Sequence, residues 1–459
     1  MIPSPPKPSY PPGTRVRVTQ HVRVGHRRWM THIEGVVTGE GRRPVGGIEM
    51  GGKASFCQQP TLQLKRDDGE LTLITVDEET QEAADASGEA IKPRIFMPTT
   101  REFKKKAFYC GQYEAQDVLS DIADVDLIHL QPGRGYKFKE AWQRRLLFRD
   151  VTKKLIFANP GLHKVRLTEE YDLFLVMCQM EHDFLNINAI DGWQDHCRSS
   201  ACWISEIWAA RIPLCKNWIH CLRRFDHIFV SARGSVEALS DAIGRPCRWL
   251  PDAVDTLRFT PYPTPPARVI DVYSIGRRKE EIHRALLEAT RRSGVLYVYD
   301  TFEGSMSDVF NYREHRDFFS NMAKRSRFFV VAPAKAGIPE ETGEQIEIGA
   351  RYYEGASAGC VLIGHAPECE AFRELFPWQD AVISLKADGS DVTKVLSSLK
   401  AEPERVSAIS RRNAAETLLR HDWVYRWKEI LRVAGIEPSP KMKLREQRLR
   451  DLAELSRAC

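Results

Sequence analysis

The 459-residue chain is 42% apolar and 28% charged, with a formal net charge of +5. This length exceeds one ordinary hydrophobic core and predicts two or three domains. The longest apolar runs, such as DLFLVM and FFVVA, are far shorter than the ~20 residues that cross a bilayer, which excludes a predicted membrane-spanning helix. The small net charge argues against nucleic-acid binding by the chain as a whole.

Residues 1–13 are proline-rich and lack the apolar core of a secretion signal, so they predict a disordered leader. The eleven cysteines are scattered, form no C-x-x-C pair and are odd in number. Such usage is typical of free thiols in a reducing compartment. We therefore expect a cytoplasmic location and no bound metal.

Residues 14–80 contain short alternating runs that are separated by turn sequences, including DDGE. This pattern predicts a small antiparallel module, an SH3-like barrel, and a polar linker follows it at 81–98. Its basic and aromatic side chains are compatible with nucleic acid. The acidic hairpin DDGE argues against a continuous basic face, which favours a protein-docking or acceptor-presenting role. The basic and aromatic residues are Arg15, Arg17, Arg23, Arg27, Arg28 and Trp29.

From residue 99 onward, apolar runs such as KLIFANP and DHIFVSA alternate with stretches of helical length. After the proline-rich hinge at 260–268 the alternation restarts with VIDVYSIG and GCVLIG. Continuous apolar runs with helical spacers predict parallel sheets that are buried on both faces. We expect an α/β fold with two facing Rossmann-like domains, 99–262 and 263–436, a ligand cleft between them, and a solvated helical tail at 437–459.

The segment 350–365, ARYYEGASAGCVLIGH, places Glu354 before a run of small residues. On the cleft side of a helix, a carboxylate can accept two ribose hydroxyls while small residues leave room for a nucleotide. The alternative is helix-to-sheet packing by the small residues, with Glu354 facing solvent.

Four segments, taken in order, resemble GT-B glycosyltransferases, especially family 4 and the spore-coat CgeB-type group. PCRWLPDAVDTLRFTPYP (246–263) is similar to the run that closes their N-terminal domain. VYSIGRRKEEIHRALLEA (272–289) is similar to their next strand, basic turn and helix. ARYYEGASAGCVLIG resembles their R-x-x-E-A-x-A-x-G segment, and RHDWVYRWKEILRVAG (420–435) resembles their closing helix.

The resemblance implies a GT-B fold and a hexosyltransferase that uses a nucleotide-sugar and needs no metal or other cofactor. It implies that Arg277, with Arg278 or Lys279 beside Gly276, holds the donor diphosphate. It further implies that Glu354 binds the ribose, and that Ala358 and Gly359 allow close approach of the donor. Fixed cations and backbone N–H groups suit the charge of a departing nucleoside diphosphate. The alternative for the basic run is a solvated helix start.

One feature departs from the family, which often has two glutamates with seven residues between them. Counting back from Glu354 reaches Ile346, with Glu344 and Glu347 on either side. The contact to the transferred sugar is therefore expected from the 333–345 loop, and Glu344 and Gln345 are the candidates.

In the N-terminal half, His182, Asp183 and Glu206 lie at predicted strand ends. Either acid has the chemistry of a general base or of a group that orients an acceptor hydroxyl, and a structural role is the alternative. The resemblance implies retention of configuration, in which case the departing phosphate takes the acceptor proton.

The segment 139–154, KEAWQRRLLFRDVTKK, combines six cations with Trp142, Leu146 and Leu147. A basic amphipathic helix of this kind is suited to an anionic membrane or an anionic acceptor, and the outer layer of an α/β domain is the alternative. The cations are Lys139, Arg144, Arg145, Arg149, Lys153 and Lys154.

Two functions follow for the whole chain. The first is a hexosyltransferase that acts on an acceptor of unknown kind, glycan, protein or lipid. The second is a catalytically degenerate GT-B protein that binds a glycan or a nucleotide, which is motivated by the unassigned first glutamate.

Overall fold

The computed structural model describes residues 12–24, 27–47, 55–66, 69–75, 81–83, 94–147, 156–301 and 308–458. The chain divides into two compact units, Met1–Ile91 and Lys92–Cys459. No helix among the described residues is both long and apolar enough to span a membrane. Most of the predicted leader lies outside the described residues.

The first unit contains one antiparallel sheet with the strand order β4-β3-β2-β1-β5. Its strands are β1 (Arg15–Val24), β2 (Arg27–Gly47), β3 (Ser55–Lys65), β4 (Leu71–Thr75) and β5 (Gln81–Ala83). Val16, Val37, Leu62 and Leu64 form a small core on it. The predicted small all-β domain is confirmed, whereas closure into a barrel stays a prediction. The side chains of Arg17, Arg23, Arg27, Arg28 and Trp29 lie outside those described.

The second unit begins with a parallel sheet of order β13-β12-β11-β9-β6-β7. Its strands are β6 (Arg94–Thr99), β7 (Asp124–His129), β9 (Tyr171–Cys178), β11 (Cys197–Ile204), β12 (His227–Val230) and β13 (Arg248–Trp249), and β8 (Val165–Arg166) pairs with β10 (Ile190–Asp191) in a separate ladder. The helices of this half are α1 (Cys110–Ile122), α2 (Tyr136–Leu147), α3 (Trp193–His196), α4 (Lys216–Ile219), α5 (Val236–Ile243) and α6 (Thr256–Phe259).

A second parallel sheet follows the hinge, with the order β15-β14-β16-β17-β18. Its strands are β14 (Ile270–Ser274), β15 (Tyr297–Tyr299), β16 (Ser326–Val331), β17 (Val361–Gly364) and β18 (Ile383–Ser384). The helices are α7 (Glu280–Ser293), α8 (Tyr312–Lys324), α9 (Pro339–Thr342), α10 (Ala350–Ser357), α11 (Glu370–Leu375), α12 (Val392–Ala401), α13 (Pro403–Arg420), α14 (Trp423–Val433) and α15 (Pro440–Ala458). Two separate parallel sheets with flanking helices confirm the predicted fold class.

The structure differs from the predictions in the linker, at one predicted strand and in the C-terminal tail. Residues 81–83 of the predicted linker form β5, which pairs with β1, and the predicted strand KLIFANP has a 3₁₀ turn at 156–157. Residues 94–98, assigned to the linker, belong to β6, which pairs with β7 along its length. Pro98 suggested a loop, but it lies near the end of the strand, where a missing donor is tolerated.

The C-terminal helix α15 is not solvated on all sides. It buries three side chains fully, Met442, Leu449 and Ala453. These pack with Trp427 of α14 in the core of the first parallel sheet. Their spacing places them on one helix face, which the high charge of the segment obscures in the sequence. The chain therefore returns from the second sheet to the first.

Candidate functional site

A cavity of about 560 Å³ in the second unit is lined by residues from both halves of that unit, the first half built on the first parallel sheet and the second half on the second parallel sheet. Its walls come from the segments that directly follow β11, β12 and β13 in the first sheet and β14, β15 and β16 in the second. The carboxyl ends of parallel strands are where α/β folds bind ligands. The cavity therefore lies in the cleft that the sequence predicts.

A group of cations follows β14 at one wall of this cavity. Gly276, Arg277, Arg278 and Lys279 all line it, and their binding of a donor stays a prediction. Arg277 is exposed and makes no hydrogen bond or ion pair within the described part of the chain. Arg278 donates to the Asp300 carbonyl oxygen at 2.8 Å and lies over the Tyr299 ring. Lys279 likewise has no side-chain hydrogen bond or ion pair among the described residues, so Arg277 and Lys279 are the cations of this group that are open to an anionic ligand.

Two features hold the turn at Gly276 in place. Its φ is +83°, and a Cβ there would lie 3.2 Å from the Arg351 guanidinium, so the position suits glycine. The Gly276 N–H donates to Asp300 Oδ2 at 2.8 Å. Asp300 Oδ1 is buried at the cavity and has no hydrogen-bond partner among the residues that the structure describes.

The N-terminus of α10 opens into the same cavity. Its N-cap is Gly349, which supplies no capping side chain, and Gly349, Ala350 and Arg351 line the cavity. Arg351 also donates from Nε to the Ile275 carbonyl oxygen at 3.1 Å. Uncapped N–H groups at a helix N-terminus, next to an arginine, form an anion-binding arrangement.

Glu354 lies one turn further along α10 and is only 4% exposed, although it contributes to the cavity wall. Its carboxylate accepts from Arg316 and from Arg351. Burial acts to raise the pKa of Glu354, but the charges of Arg351 and Arg316 outweigh burial and hold the pKa below its ordinary value. Glu354 is therefore an ionised carboxylate enclosed by two cations, and not a solvent-facing side chain.

Arg316 extends this network to the first half of the unit. Its guanidinium donates to both carboxylate oxygens of Glu114 on α1, at 2.7 and 2.9 Å. Glu114 is fully buried and also accepts from Trp423 Nε1 and the Asp255 N–H. The chain Glu114–Arg316–Glu354–Arg351 thus joins the two halves beside the cavity.

The small residues that follow Glu354 in the sequence, 355–359, do not line the cavity. A Cβ on Gly355 would lie 2.7 Å from the side chains of Phe329 and Leu362, so this glycine allows α10 to approach the sheet. Ala358 is fully buried, and Gly359 lies against Arg268 and Ser410 beyond the end of α10. An eight-residue helix is about 12 Å long, which separates these two residues from the cleft. Neither residue lines the cavity, so the predicted donor contacts are corrected: Ala358 packs in the core of the second parallel sheet, and Gly359 packs against Arg268 and Ser410 of α13.

The three acid–base candidates of the first half lie in different environments. Glu206 lines the cavity and pairs with Lys335, a residue with a φ of +49° that also contacts Glu341. Asp183 does not line the cavity. It accepts from Lys104, from Tyr109 and from the backbone N–H groups of Gln179 and Met180. Four donors favour a structural role for Asp183 over the predicted catalytic role.

His182 is likewise absent from the cavity wall, and burial lowers its pKa to about 4. Because the His182 imidazole is buried and neutral, packing accounts for it without a catalytic role. The strand-end position that the sequence indicates is correct for both residues, but the 3₁₀ helix Glu181–Ala189 turns them away from the cleft.

Asp252 is a cavity acid that the sequence analysis did not select. It follows Pro251 after β13 and accepts from Ser231 Oγ at 2.9 Å. Burial raises the pKa of Asp252 to about 6, against the hydrogen bond from Ser231 and the charge of Arg426. In the sequence, Asp252 could have been identified by its position at a strand end within the 246–263 segment.

The 333–345 loop places its polar residues differently from the prediction. Glu344 is exposed and outside the cavity lining, which removes the geometric basis for its predicted sugar contact. Gln345 Oε1 accepts from the Ala209 N–H at 2.9 Å, and Gln345 Nε2 donates to Ser235 Oγ at 2.9 Å. Glu347 lines the cavity and accepts from the Gly234 N–H at 2.7 Å. These residues attach the loop to the first half.

Residues 321–432 match the family model described as "Glycosyl transferase-like". This part of the chain, which includes β16, α10 and β17, is therefore similar to glycosyltransferases. A search of curated proteins returned no match.

Three solved structures illustrate what the chain is similar to. An α-glucosyltransferase in complex with UDP-glucose and DNA containing an abasic site is 11% identical, with 75% of this chain and 99% of that chain covered and a TM-score of 0.46. Anabaena HepE in complex with UDP-glucose is 10% identical, with 75% and 99% covered and a TM-score of 0.42. A UDP-N-acetylglucosamine 2-epimerase is 10% identical, with 76% and 99% covered and a TM-score of 0.41.

Proposed function

We propose that the protein is a glycosyltransferase that moves a hexose from a nucleoside diphosphate donor to an acceptor. One observation carries the proposal: the glycosyltransferase-like domain brings an uncapped helix N-terminus and Arg351 to the same cavity as the unpartnered Arg277. Two cations and a helix N-terminus suit a diphosphate better than a neutral ligand.

The proposed donor mode assigns each group a part. Arg277 and Lys279 bind the diphosphate from the β14 side, and the N–H groups at the start of α10 bind it from the other. As the bond to the sugar breaks, charge develops on the departing diphosphate, and these fixed groups stabilise it. We propose that they do so without a divalent metal and that configuration is retained.

Glu354 keeps its proposed contact to the ribose hydroxyls on one condition. Both carboxylate oxygens accept from arginine, so a ribose hydroxyl needs one of them to be shared or released. Arg351 is the arginine that can release its oxygen of Glu354, because the Arg351 side chain is 31% exposed whereas that of Arg316 is 4% exposed. Movement of Arg351 toward the donor phosphate would couple phosphate binding to ribose binding.

On the acceptor side we propose Glu206 and Asp252 as the groups that orient the acceptor hydroxyl. Both line the cavity from the first half, opposite the β14 cations. In a retaining transfer the departing phosphate takes the acceptor proton, so these acids align the hydroxyl and need not remove its proton.

Donor hydrolysis tests the proposal. The protein is incubated with UDP-, GDP- and ADP-hexoses, and release of the nucleoside diphosphate is followed with EDTA present. We expect slow release from at least one donor, loss of release in Arg277→Ala, and no change in Glu374→Gln. Glu374 is a matched control because it is an exposed residue in an ion pair, outside the cavity lining.

A binding protein without turnover is the second candidate, because Glu344 is exposed and does not line the cavity. That function predicts stabilisation by a nucleotide-sugar, weakened in Arg277→Ala, with no release of nucleoside diphosphate in the presence of any acceptor. Absence of both release and stabilisation across the donor panel would contradict the two candidates together.

A further inference from the structure

Helix α2 presents a face that the proposed function does not use. Phe138 and Trp142 are 69% and 56% exposed, and their ring centroids are 6.4 Å apart. Arg145 lies one further turn along, so the three side chains follow the i, i+4, i+7 spacing of one helical stripe. Large aromatic side chains that are exposed together are unusual on a soluble surface.

The opposite side of α2 explains why these residues point outward. Tyr136, Gln143 and Leu147 are buried, and they define the inner face of the helix. The sequence pattern grouped Trp142, Leu146 and Leu147 as the apolar residues of a basic amphipathic helix. In the structure Leu147 belongs to the core, whereas Trp142 lies with Phe138 on the outer face.

A second segment adds to this face. The chain around 157–161 runs beside α2, because Gln143 Nε2 donates to the Ala158 carbonyl oxygen at 2.8 Å and a Cβ at Gly161 would lie 3.0 Å from the Lys139 side chain. Phe157 lies in this segment and is 54% exposed. Three exposed aromatic side chains therefore come from two adjacent parts of the chain.

The charges on this side are positive. Lys137, Lys139 and Arg145 are exposed around the aromatic stripe. The one acid within Tyr136–Leu147 is Glu140, which lies 3.7 Å from Arg144. We define the α2 face as Lys137, Phe138, Lys139, Trp142, Arg145 and Phe157.

Helix α2 follows the carboxyl end of β7, which is the edge of the first parallel sheet on which the cavity also lies. Its first residue, Tyr136, contacts Phe103 with ring centroids 5.2 Å apart. A few residues after Phe103, the chain reaches Ala107 and Phe108, which line the cavity. Helix α2 and the cavity therefore share one edge of this sheet.

We propose that the α2 face docks on an anionic lipid bilayer. Aromatic rings with adjacent cations match the chemistry of the membrane interface, where the rings enter the headgroup region and the cations contact anionic lipid. An anionic polysaccharide would use the cations, but it gives no reason for three apolar rings to stay exposed. Single-stranded nucleic acid would use both, because its bases stack on aromatic rings, and binding of a single-stranded oligonucleotide without binding to vesicles would overturn the proposal. This proposal does not depend on whether the protein binds a sugar donor.

Vesicle co-sedimentation of the full chain tests the proposal. Vesicles of phosphatidylcholine alone are compared with vesicles that contain about one-third phosphatidylglycerol. We expect at least tenfold tighter binding to the anionic vesicles. We also expect at least tenfold loss of that binding in Phe138→Ser/Trp142→Ser and in Lys137→Glu/Arg145→Glu, with melting temperatures unchanged because all four side chains are exposed.

Helix α15 offers a matched control. It is also basic and carries the 70% exposed Leu444 next to the exposed Lys443, without an aromatic side chain. The variant Lys443→Glu/Leu444→Ser should bind anionic vesicles as the wild type does. Brominated phosphatidylglycerol should quench tryptophan fluorescence more in the wild type than in Trp142→Phe.

Several results would overturn the proposal. Equal binding to neutral and anionic vesicles would remove the role of the cations. Equal losses in the α15 and α2 variants would show non-specific attraction by net charge. Wild-type vesicle binding by the α2 variants, or binding to heparin without binding to vesicles, would assign the face to another partner.

Discussion

Substitution of Glu354 by glutamine removes one charge from the middle of the buried network that joins the two halves. Arg316 is 3% exposed, and in the variant it keeps only Glu114 as an ionised partner. Removal of one partner from a buried ion pair costs about 3–5 kcal/mol. Glutamine has nearly the same size and retains a hydrogen-bond acceptor, which offsets about 1 kcal/mol. We therefore expect a loss of about 2–4 kcal/mol in the free energy of unfolding at pH 7.

The same carboxylate predicts how this difference depends on pH. In the folded protein the pKa of Glu354 lies below 4.5, because Arg351 and Arg316 outweigh burial. A depressed pKa in the folded state stabilises the protein above the pKa of the unfolded chain, and this stabilisation is lost as pH falls through the folded value. The gap between wild type and Glu354→Gln should be complete above about pH 5 and should narrow below about pH 4.5.

Urea denaturation at pH 7, 5 and 4, followed by tryptophan fluorescence, measures this gap. Glu374→Gln is the control, because this exposed residue pairs with Arg233 at the surface and should change stability by less than about 1 kcal/mol. Equal stability of Glu354→Gln and wild type at pH 7 would refute the buried network. A gap that stayed constant down to pH 4 would refute its electrostatic origin. If folded Glu354→Gln also bound donor normally, the carboxylate would be purely structural.

Three further predictions concern the ligand and the first unit. Arg277→Ala should weaken nucleoside diphosphate binding by about 1.5–3 kcal/mol in isothermal titration and leave binding of the bare nucleoside unchanged; equal losses for both ligands would contradict the phosphate contact. The wild-type transfer rate should rise between pH 5 and 7, because Asp252 ionises near its pKa of about 6. The transfer rate of Asp252→Asn should not change over this range, and a matching rise in the variant would assign the ionisation to another group. Deletion of residues 1–90 should change donor affinity by less than threefold, about 0.7 kcal/mol; a hundredfold loss would show that the first unit shapes the site.

The fold class could be predicted because buried parallel strands are continuous apolar runs, and FFVVA and CVLI lie within or directly before β16 and β17. The basic turn after β14 was also predictable, because a strand, a glycine and cations occur in immediate succession. These signals are local, and the structure places the residues where the local pattern indicates.

The remaining site residues depend on contacts that are distant in sequence. The environment of Glu354 is set by Arg316, 38 residues away, and through it by Glu114, 202 residues from Arg316. Asp183 looked similar to Glu206 in sequence, because nothing local shows that Lys104 and Tyr109 occupy its carboxylate. The small run 355–359 fits both a ligand pocket and close helix-to-sheet packing, and only the position of Phe329 decides between them.

The most direct test of the central claim is a crystal structure with a nucleoside diphosphate hexose. We expect the diphosphate to lie between Arg277 and the N-terminus of α10. A ribose hydroxyl should lie within hydrogen-bond distance of Glu354, and Arg351 should turn toward the phosphate. A donor bound outside the cavity would contradict the claim. So would a donor bound in the cavity with Arg277 in solvent and Glu354 still paired with both arginines.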